Sequence, residues 1–218
     1  TALPDAFDLE ETAGSRTARE TGIQPVENMS GQRPLILDPF CGTGTVLQEA
    51  LLAGYDVVGT DLSQKMVDYT TENLSWLQST FTAPGHIIDI HQADATTHRW
   101  PNSTHLTAVV CETYLGQPFS APPAPQKLAE VAGNCNHIIT SFLANIRPQL
   151  APNTPLCIAV PAWYDASGRA THLPLIKNLQ KIGYHQLNRT PLIYRRPDQI
   201  VARELLVLKP IDKTAPQA

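Results

Sequence analysis

Three aspartates in the first half of the chain each follow a short apolar run. Asp38 ends Leu35-Ile36-Leu37, Asp61 ends Asp56-Val57-Val58-Gly59-Thr60, and Asp94 lies just beyond His86-Ile87-Ile88-Asp89-Ile90-His91-Gln92. A fourth acid, Glu112, follows Leu106-Thr107-Ala108-Val109-Val110-Cys111. Ionised carboxylates only accept hydrogen bonds, so acids at strand ends suit ligand hydroxyls, amines and positive charge. Asp38 leads into Pro39-Phe40-Cys41-Gly42-Thr43-Gly44-Thr45, where two glycines permit positive φ or a close backbone approach to a ligand. A dinucleotide-binding turn would place a third glycine where this chain has Leu47, and Asp38 is an awkward neighbour for a pyrophosphate. A cationic ligand fits better. S-adenosylmethionine, with a sulfonium, an amino group and no phosphate, meets that requirement; a purely structural strand–turn–helix unit is the alternative.

The other acids extend this chemistry. Asp61 follows Gly44 at close to the separation of about 20 residues at which an acid meets ribose hydroxyls in such folds. Its alternative role is a first-turn charge on the next helix, although Ser63 is already a good N-cap. Asp94 is placed to accept an exocyclic amine of adenine, with Ala95 leaving room for the base, or else it is a turn aspartate. Glu112 and Tyr114 leave the fourth strand beside the first, where ligands bind at the switch point of an open parallel sheet. They are the candidates for the reacting centre.

These residues need a scaffold of alternating strands and helices. Val46, Leu47, Ala50 and Leu51 predict a helix after the first turn, with Gly54 as its C-cap. Gln64 to Leu77 reads as a second helix, with Met66, Val67, Thr70, Leu74 and Leu77 as ordinary core. Gln117–Gln126 is rich in proline and predicts a stiff loop; it either lies over the pocket, with Phe119 as a stacking surface, or simply connects. Lys127–Arg147 predicts one long helix or two broken near Gly133-Asn134, ended by Pro148. Leu156–Val160 is a fifth strand, and Trp163 beyond it faces either substrate or core. Leu173–Ile182 reads as a helix closing at Gly183. Gln186–Tyr194 and Ile200–Leu208 read as two strands joined by Arg195-Arg196-Pro197-Asp198, so the last runs antiparallel.

Composition bounds the class. The 218 residues suffice for one sizeable α/β domain. A formal net charge of −4 opposes a broad non-specific nucleic-acid surface. No apolar run approaches a membrane span, and no signal-peptide layout is present. The four cysteines show no metal-ligand spacing, and buried reduced thiols suit a cytoplasmic protein. His86, His91, His98 and His105 match no metal site and read as surface or strand-end residues; no metal is expected. Residues 1–32 are polar and predict an extension or linker, with a possible short helix near Ile23–Met29 and Arg16 and Arg19 solvated or turned to nucleic acid. Residues 210–218 form a polar tail. The chain begins with Thr, so a preceding segment, such as an RNA-binding domain, is anticipated.

Five strand–helix alternations with a terminal hairpin resemble the class I S-adenosylmethionine-dependent methyltransferases over residues 33–209. This Rossmann-like fold implies a mostly parallel seven-stranded sheet, helices on both faces and an antiparallel terminal strand. The Asp38–Thr45 signature, DPFCGTGT, is similar to that of RNA guanosine N2-methyltransferases, which usually carry a preceding THUMP domain; the wider group includes amino-directed DNA methyltransferases. The resemblance implies that Asp38, Phe40, Gly42, Thr43 and Gly44 hold the methionine part of S-adenosylmethionine. It further gives the ribose to Asp61 and Leu62, the adenine to Asp94 and Ala95, and catalysis to Glu112 and Tyr114. An RNA substrate, most simply tRNA, would be the partner. The chain departs from these families at Glu112-Thr113-Tyr114-Leu115-Gly116, where they place Asp or Asn, two prolines and an aromatic. Two further readings are a cofactor-binding module with little catalysis that partners another protein, and a methyltransferase acting on DNA or another non-RNA substrate.

Overall fold

The computed structural model describes residues 33–211 except 102, 166, 197 and 198. The expectations for the N-terminal extension, its short helix and the tail from 212 onward lie outside the described residues. β1 (Leu35–Asp38), α1 (Thr45–Leu52), β2 (Asp56–Asp61), α2 (Gln64–Thr80), β3 (Ile87–Gln92) and β4 (Leu106–Glu112) come first. After them come α3 (Pro125–Ile146), β5 (Leu156–Tyr164), β6 (Ala170–Thr171), β7 (Tyr184–Gln186), β8 (Leu192–Tyr194) and β9 (Val201–Pro210). The main path across the sheet is β3-β2-β1-β4-β5-β9-β7, with β6 on β5 and β8 on β9. β1 through β5 pair in parallel, while β9 runs antiparallel to β5 and to β7 and β8. The chain therefore reverses its direction of winding between β1 and β4, and a crevice opens beyond their carboxyl ends.

Burial explains why the strands sit where they do. Alternate residues of a strand face opposite sides of the sheet. Val57 joins a cluster with Leu47, Leu51, Leu74 and Leu77 under α1 and α2, whereas Val58 packs on the other face. That second, larger cluster places Ile139, Phe142, Leu143 and Ile146 of α3 against Leu37, Val109, Leu156 and Ile158. β9 alternates perfectly, with Ala202, Glu204, Leu206 and Leu208 buried. Gly59 is required by close packing: a Cβ there would come within 2.5 Å of a Leu47 methyl. No helix among the described residues is long and apolar enough to cross a membrane.

Three expected elements differ. The predicted Gln186–Tyr194 strand is two short ones, β7 and β8, interrupted by a stretch in which the Asn188 side chain bonds the Leu205 carbonyl and the Val207 amide of β9. The predicted Leu173–Ile182 helix is only a 3₁₀ turn, Pro174–Asn178, with Pro174 in its first turn and Leu173, Leu175 and Leu179 buried in the main core. α3 is unbroken through Gly133, beside which a Cβ would meet nothing. It starts at Pro125, two residues before the predicted Lys127 and inside the proline loop, where the missing amide of a first-turn proline costs nothing.

Candidate active site

The carboxyl ends of β1 to β4 open into one cleft of about 940 Å³, near the top of the range of about 300–1,000 Å³ typical of ligand sites. The turn after β1 contributes Phe40 and Gly42, and β2 contributes Asp61 and Leu62. The β3 exit adds Asp94, Ala95 and Thr96, and the β4 exit adds Glu112, Thr113, Tyr114 and Leu115. Eight of the eleven residues singled out from the sequence thus meet here. The other three, Asp38, Thr43 and Gly44, do not line it: Asp38 and Gly44 are buried and Thr43 is exposed.

The β1 turn is held from behind. Gly42 and Gly44 both have positive φ, 54° and 86°, and a Cβ on Gly44 would come to 3.0 Å from the Thr70 methyl. Thr70 Oγ1 donates to the Gly42 carbonyl at 2.8 Å and Asn73 Nδ2 to the Thr43 carbonyl at 2.9 Å. The α2 face read as ordinary core therefore also clamps the turn. Asp38 is 2% exposed, and one of its oxygens accepts the Phe40 amide at 3.0 Å. Burial pushes its carboxyl up to about 8; the Phe40 amide opposes this, and the neighbouring Asp61 and Glu112 charges add to it. It lies at the end of β1, buried and outside the cleft lining, and a cation beside it would favour its ionised form.

Asp61 is more engaged than its sequence context suggests. The Ser63 hydroxyl makes no capping bond; instead, Asp61 Oδ1 accepts the Ser63 amide at 2.9 Å, and Oδ2 accepts the Gly42 amide at 3.0 Å. Each oxygen keeps a second lone pair, so a diol can still be bound. Asp94 is exposed, and its Oδ1 accepts both the Thr96 hydroxyl, at 2.7 Å, and the Thr96 amide, at 2.8 Å. Those bonds hold its carboxyl below the usual range.

At the β4 exit, Thr113 is buried, and both its amide and its hydroxyl donate to the Ala159 carbonyl, at 3.0 and 2.9 Å. Two bonds to one carbonyl pin a turn that lacks prolines. Gly116 follows with φ 84°, so close to α3 that a Cβ would lie 2.7 Å from a Val131 methyl. Tyr114 is 41% exposed in the cleft. Glu112 lies within β4 rather than after it, and its Oε2 accepts Arg203 Nε at 2.9 Å.

Phe119 packs against the main core and does not line the cleft, and Trp163 is 1% exposed in that core. Arg195 lies over the Tyr164 ring at 4.3 Å. The cysteines are free; burial pushes the Cys41 thiol up to about 12 and also raises the Cys111 thiol well above its ordinary value. His91 and His98 approach at 3.2 Å between Nε2 atoms, and among the described residues no group of three or more His, Cys, Asp or Glu is placed to hold a metal.

Sequence reasoning missed the α3 side of the cleft. Asn134, His137, Ile138 and Ser141 line it, and their spacing is one helical face. That signal was hidden by the suspected break at Gly133-Asn134, which cuts the face in two. Met66 and Thr96 were missed as lining residues because each also fits a purely structural role.

The fold and cleft match known proteins. Residues 36–136 match the family described as a methyltransferase domain. The chain is 33% identical over 140 residues to a tRNA (guanine(10)-N2)-dimethyltransferase of Methanothermobacter thermautotrophicus, an alignment covering 63% of this chain and 37% of that protein. TrmN from Thermus thermophilus is similar in structure with a TM-score of 0.50 at 18% identity, over 82% of this chain and 44% of its own. Magnesium protoporphyrin IX methyltransferase from Synechocystis PCC 6803, crystallised with bound SAH, gives a TM-score of 0.53 at 15% identity, over 81% and 74% of the two chains. The chain thus spans little more than a third of the curated relative's length.

Proposed function

We propose that this chain, which is a class I S-adenosylmethionine-dependent methyltransferase domain by fold and by family match, methylates an exocyclic amine of RNA, most specifically guanine N2 in tRNA. The observation that carries the reading is the convergence of Gly42, Asp61, Asp94 and Glu112, from four strand exits, on one cleft. The likeness to a tRNA (guanine(10)-N2)-dimethyltransferase supports the choice of acceptor.

S-adenosylmethionine fits the residues present. Asp38 lies buried at the end of β1, directly behind the turn, and would supply an acceptor for the ligand's amino group. Gly42, Thr43 and Gly44 keep the β1 turn close to the methionine part. Asp61 has two lone pairs left for the ribose hydroxyls, with Leu62 beside it. Among the described residues Asp94 Oδ2 accepts no hydrogen bond, which leaves it for the adenine amine, and Ala95 presents only a methyl to the ring. Phe40, held edge-on to Phe142 at 5.1 Å, limits the cleft floor.

When bound, S-adenosylmethionine would supply an electrophilic methyl on its sulfonium: the acceptor amine would form an N–C bond as the C–S bond breaks, S-adenosylhomocysteine would leave with the electron pair, and the resulting ammonium would give up a proton. The protein's work is orientation, which accounts for much of the rate in such reactions. Glu112 accepts a hydrogen bond from the acceptor amine and takes that proton. Tyr114 forms one side of the acceptor's berth. Thr113 keeps both residues fixed through its two bonds to Ala159.

Calorimetric titration with S-adenosylmethionine, followed by labelled-methyl transfer to bulk tRNA and nucleoside digestion, tests the reading. N2-methylguanosine is the expected product. Binding without transfer would support a cofactor-binding module instead, and label on DNA or protein would redirect the acceptor.

A further inference from the structure

We infer that Arg203 is a positioning residue that fixes Glu112 for the acceptor, a role resting on the methyltransferase reading above. Glu112 belongs to β4 and Arg203 to β9, with β5 between them. In the register, Glu112 sits beside Ala159 and Arg203 beside Pro161. Residues two apart share a face of the sheet, so both side chains rise on one side of β5. Ala159 offers only a methyl there, and the two chains meet over it at 2.9 Å between Nε and Oε2.

Glutamate has more rotamers than a shorter acid and needs an anchor to hold one of them. Arg203 is itself anchored: Nη1 donates to Gln199 Oε1 at 3.0 Å and to the Val201 carbonyl at 3.4 Å. Gln199 is tied in turn to the β8–β9 connection, since its carbonyl accepts Arg195 Nε at 2.9 Å. The Arg203 side chain is less exposed than that of Glu112, 22% against 48%, so the arginine is the better-held partner and the acid, which lines the cleft, is positioned from it. Only Oε2 is taken; among the described residues, Oε1 accepts no protein hydrogen bond. One oxygen is thereby locked and the other left for the acceptor amine. A plain tie between β4 and β9 would also make this contact, but it would leave methyl transfer unaffected.

The test compares Arg203→Ala, Arg203→Lys and Glu112→Gln with the double variant. Misplacing a reacting group by about 1 Å costs on the order of a hundredfold. Arg203→Ala is therefore expected to lower kcat about ten- to a hundredfold, with the calorimetric cofactor Kd held within about twofold. Arg203→Lys should recover part of the loss, because an ammonium still reaches Oε2. Arg203→Ala should add nothing to Glu112→Gln, the signature of two residues acting as one unit. An unchanged kcat, or losses that multiply in the double variant, overturns the inference. If the wild-type protein binds cofactor and methylates nothing, the functional reading fails by itself. The contact is then read from the Arg203 Nε–H proton by NMR. It should be shifted and slow to exchange in the wild type and lose both properties in Glu112→Gln. An Nε–H signal identical in the two proteins overturns the positioning role, and Arg203→Lys serves if the alanine variant does not fold.

Discussion

Asp61 Oδ2 accepts the Gly42 amide at 3.0 Å, which makes one carboxylate serve both the β1 turn and the β2 exit. Its removal therefore acts twice. Asp61→Ala strips the ribose hydroxyls of a charged acceptor worth about 1.5–3 kcal/mol, and calorimetry should show affinity for S-adenosylmethionine reduced roughly ten- to a hundredfold. The same variant should lower the melting temperature without cofactor, since the Gly42 and Ser63 amides lose their partner. Unchanged affinity would remove Asp61 from the ribose site.

Asp38 gives the free protein an unusual pH dependence. Its carboxyl ionises near 8 in the fold, against an ordinary value of 3.8 in the open chain. Between these limits the folded state holds the extra proton, so Asp38's contribution to stability is full below about 4 and declines as pH rises to about 8. Asp38→Asn should escape that decline, so its melting temperature should gain on the wild type from pH 5 to pH 8.5. A constant gap across that range would show that Asp38 does not titrate this way. Cofactor binding should run the opposite way: wild-type affinity rises with pH as the proton is given up, and Asp38→Asn binds weakly at every pH.

Glu112→Gln keeps the side chain's size and removes its ability to take a proton. Methyl transfer should slow by about 10²–10⁴, the usual worth of a positioned acid or base, with little change in cofactor affinity. Single-turnover rates measured beside calorimetric titrations separate the two effects. Full turnover would move the reacting centre away from Glu112.

Gly116→Ala is expected to destabilise the fold by about 2–4 kcal/mol, combining the left-handed backbone penalty with overpacking. The added methyl would sit 2.7 Å from Val131. Urea denaturation is the measure. A loss under 1 kcal/mol would mean that α3 yields easily at this point.

Much of this architecture was readable from residue pattern alone, for identifiable reasons. Leu35–Leu37 and Leu106–Cys111 are apolar runs bounded by acids and turns, and a two-sided buried strand is their natural solution. Asp38, Asp61 and Asp94 stand out because a carboxylate at the end of such a run has no packing reason to be there. The C-terminal region was harder to read. Asn188 interrupts the β7–β8 edge through side-chain bonds to β9, a tertiary event with no local trace. Phe119 and Trp163 looked available to a ligand, but aromatic residues carry the same letter in a core. Arg203 was read only as part of a strand; its meeting with Glu112 depends on β9 lying next to β5, which no local period encodes.

The placement of β9 also governs the order in which the cleft can be completed during synthesis. This strand leaves the ribosome after the other eight described strands, yet it pairs with β5 in the middle of the sheet and brings Arg203 to Glu112, 91 positions earlier. Until it emerges, β5 is an unprotected edge with a strongly apolar sequence, the kind of surface that recruits other chains. The cofactor side, built from β1 to β3, needs nothing from that last strand. On the function proposed above, a nascent chain would gain the means to hold its ligand well before it gains the means to use it.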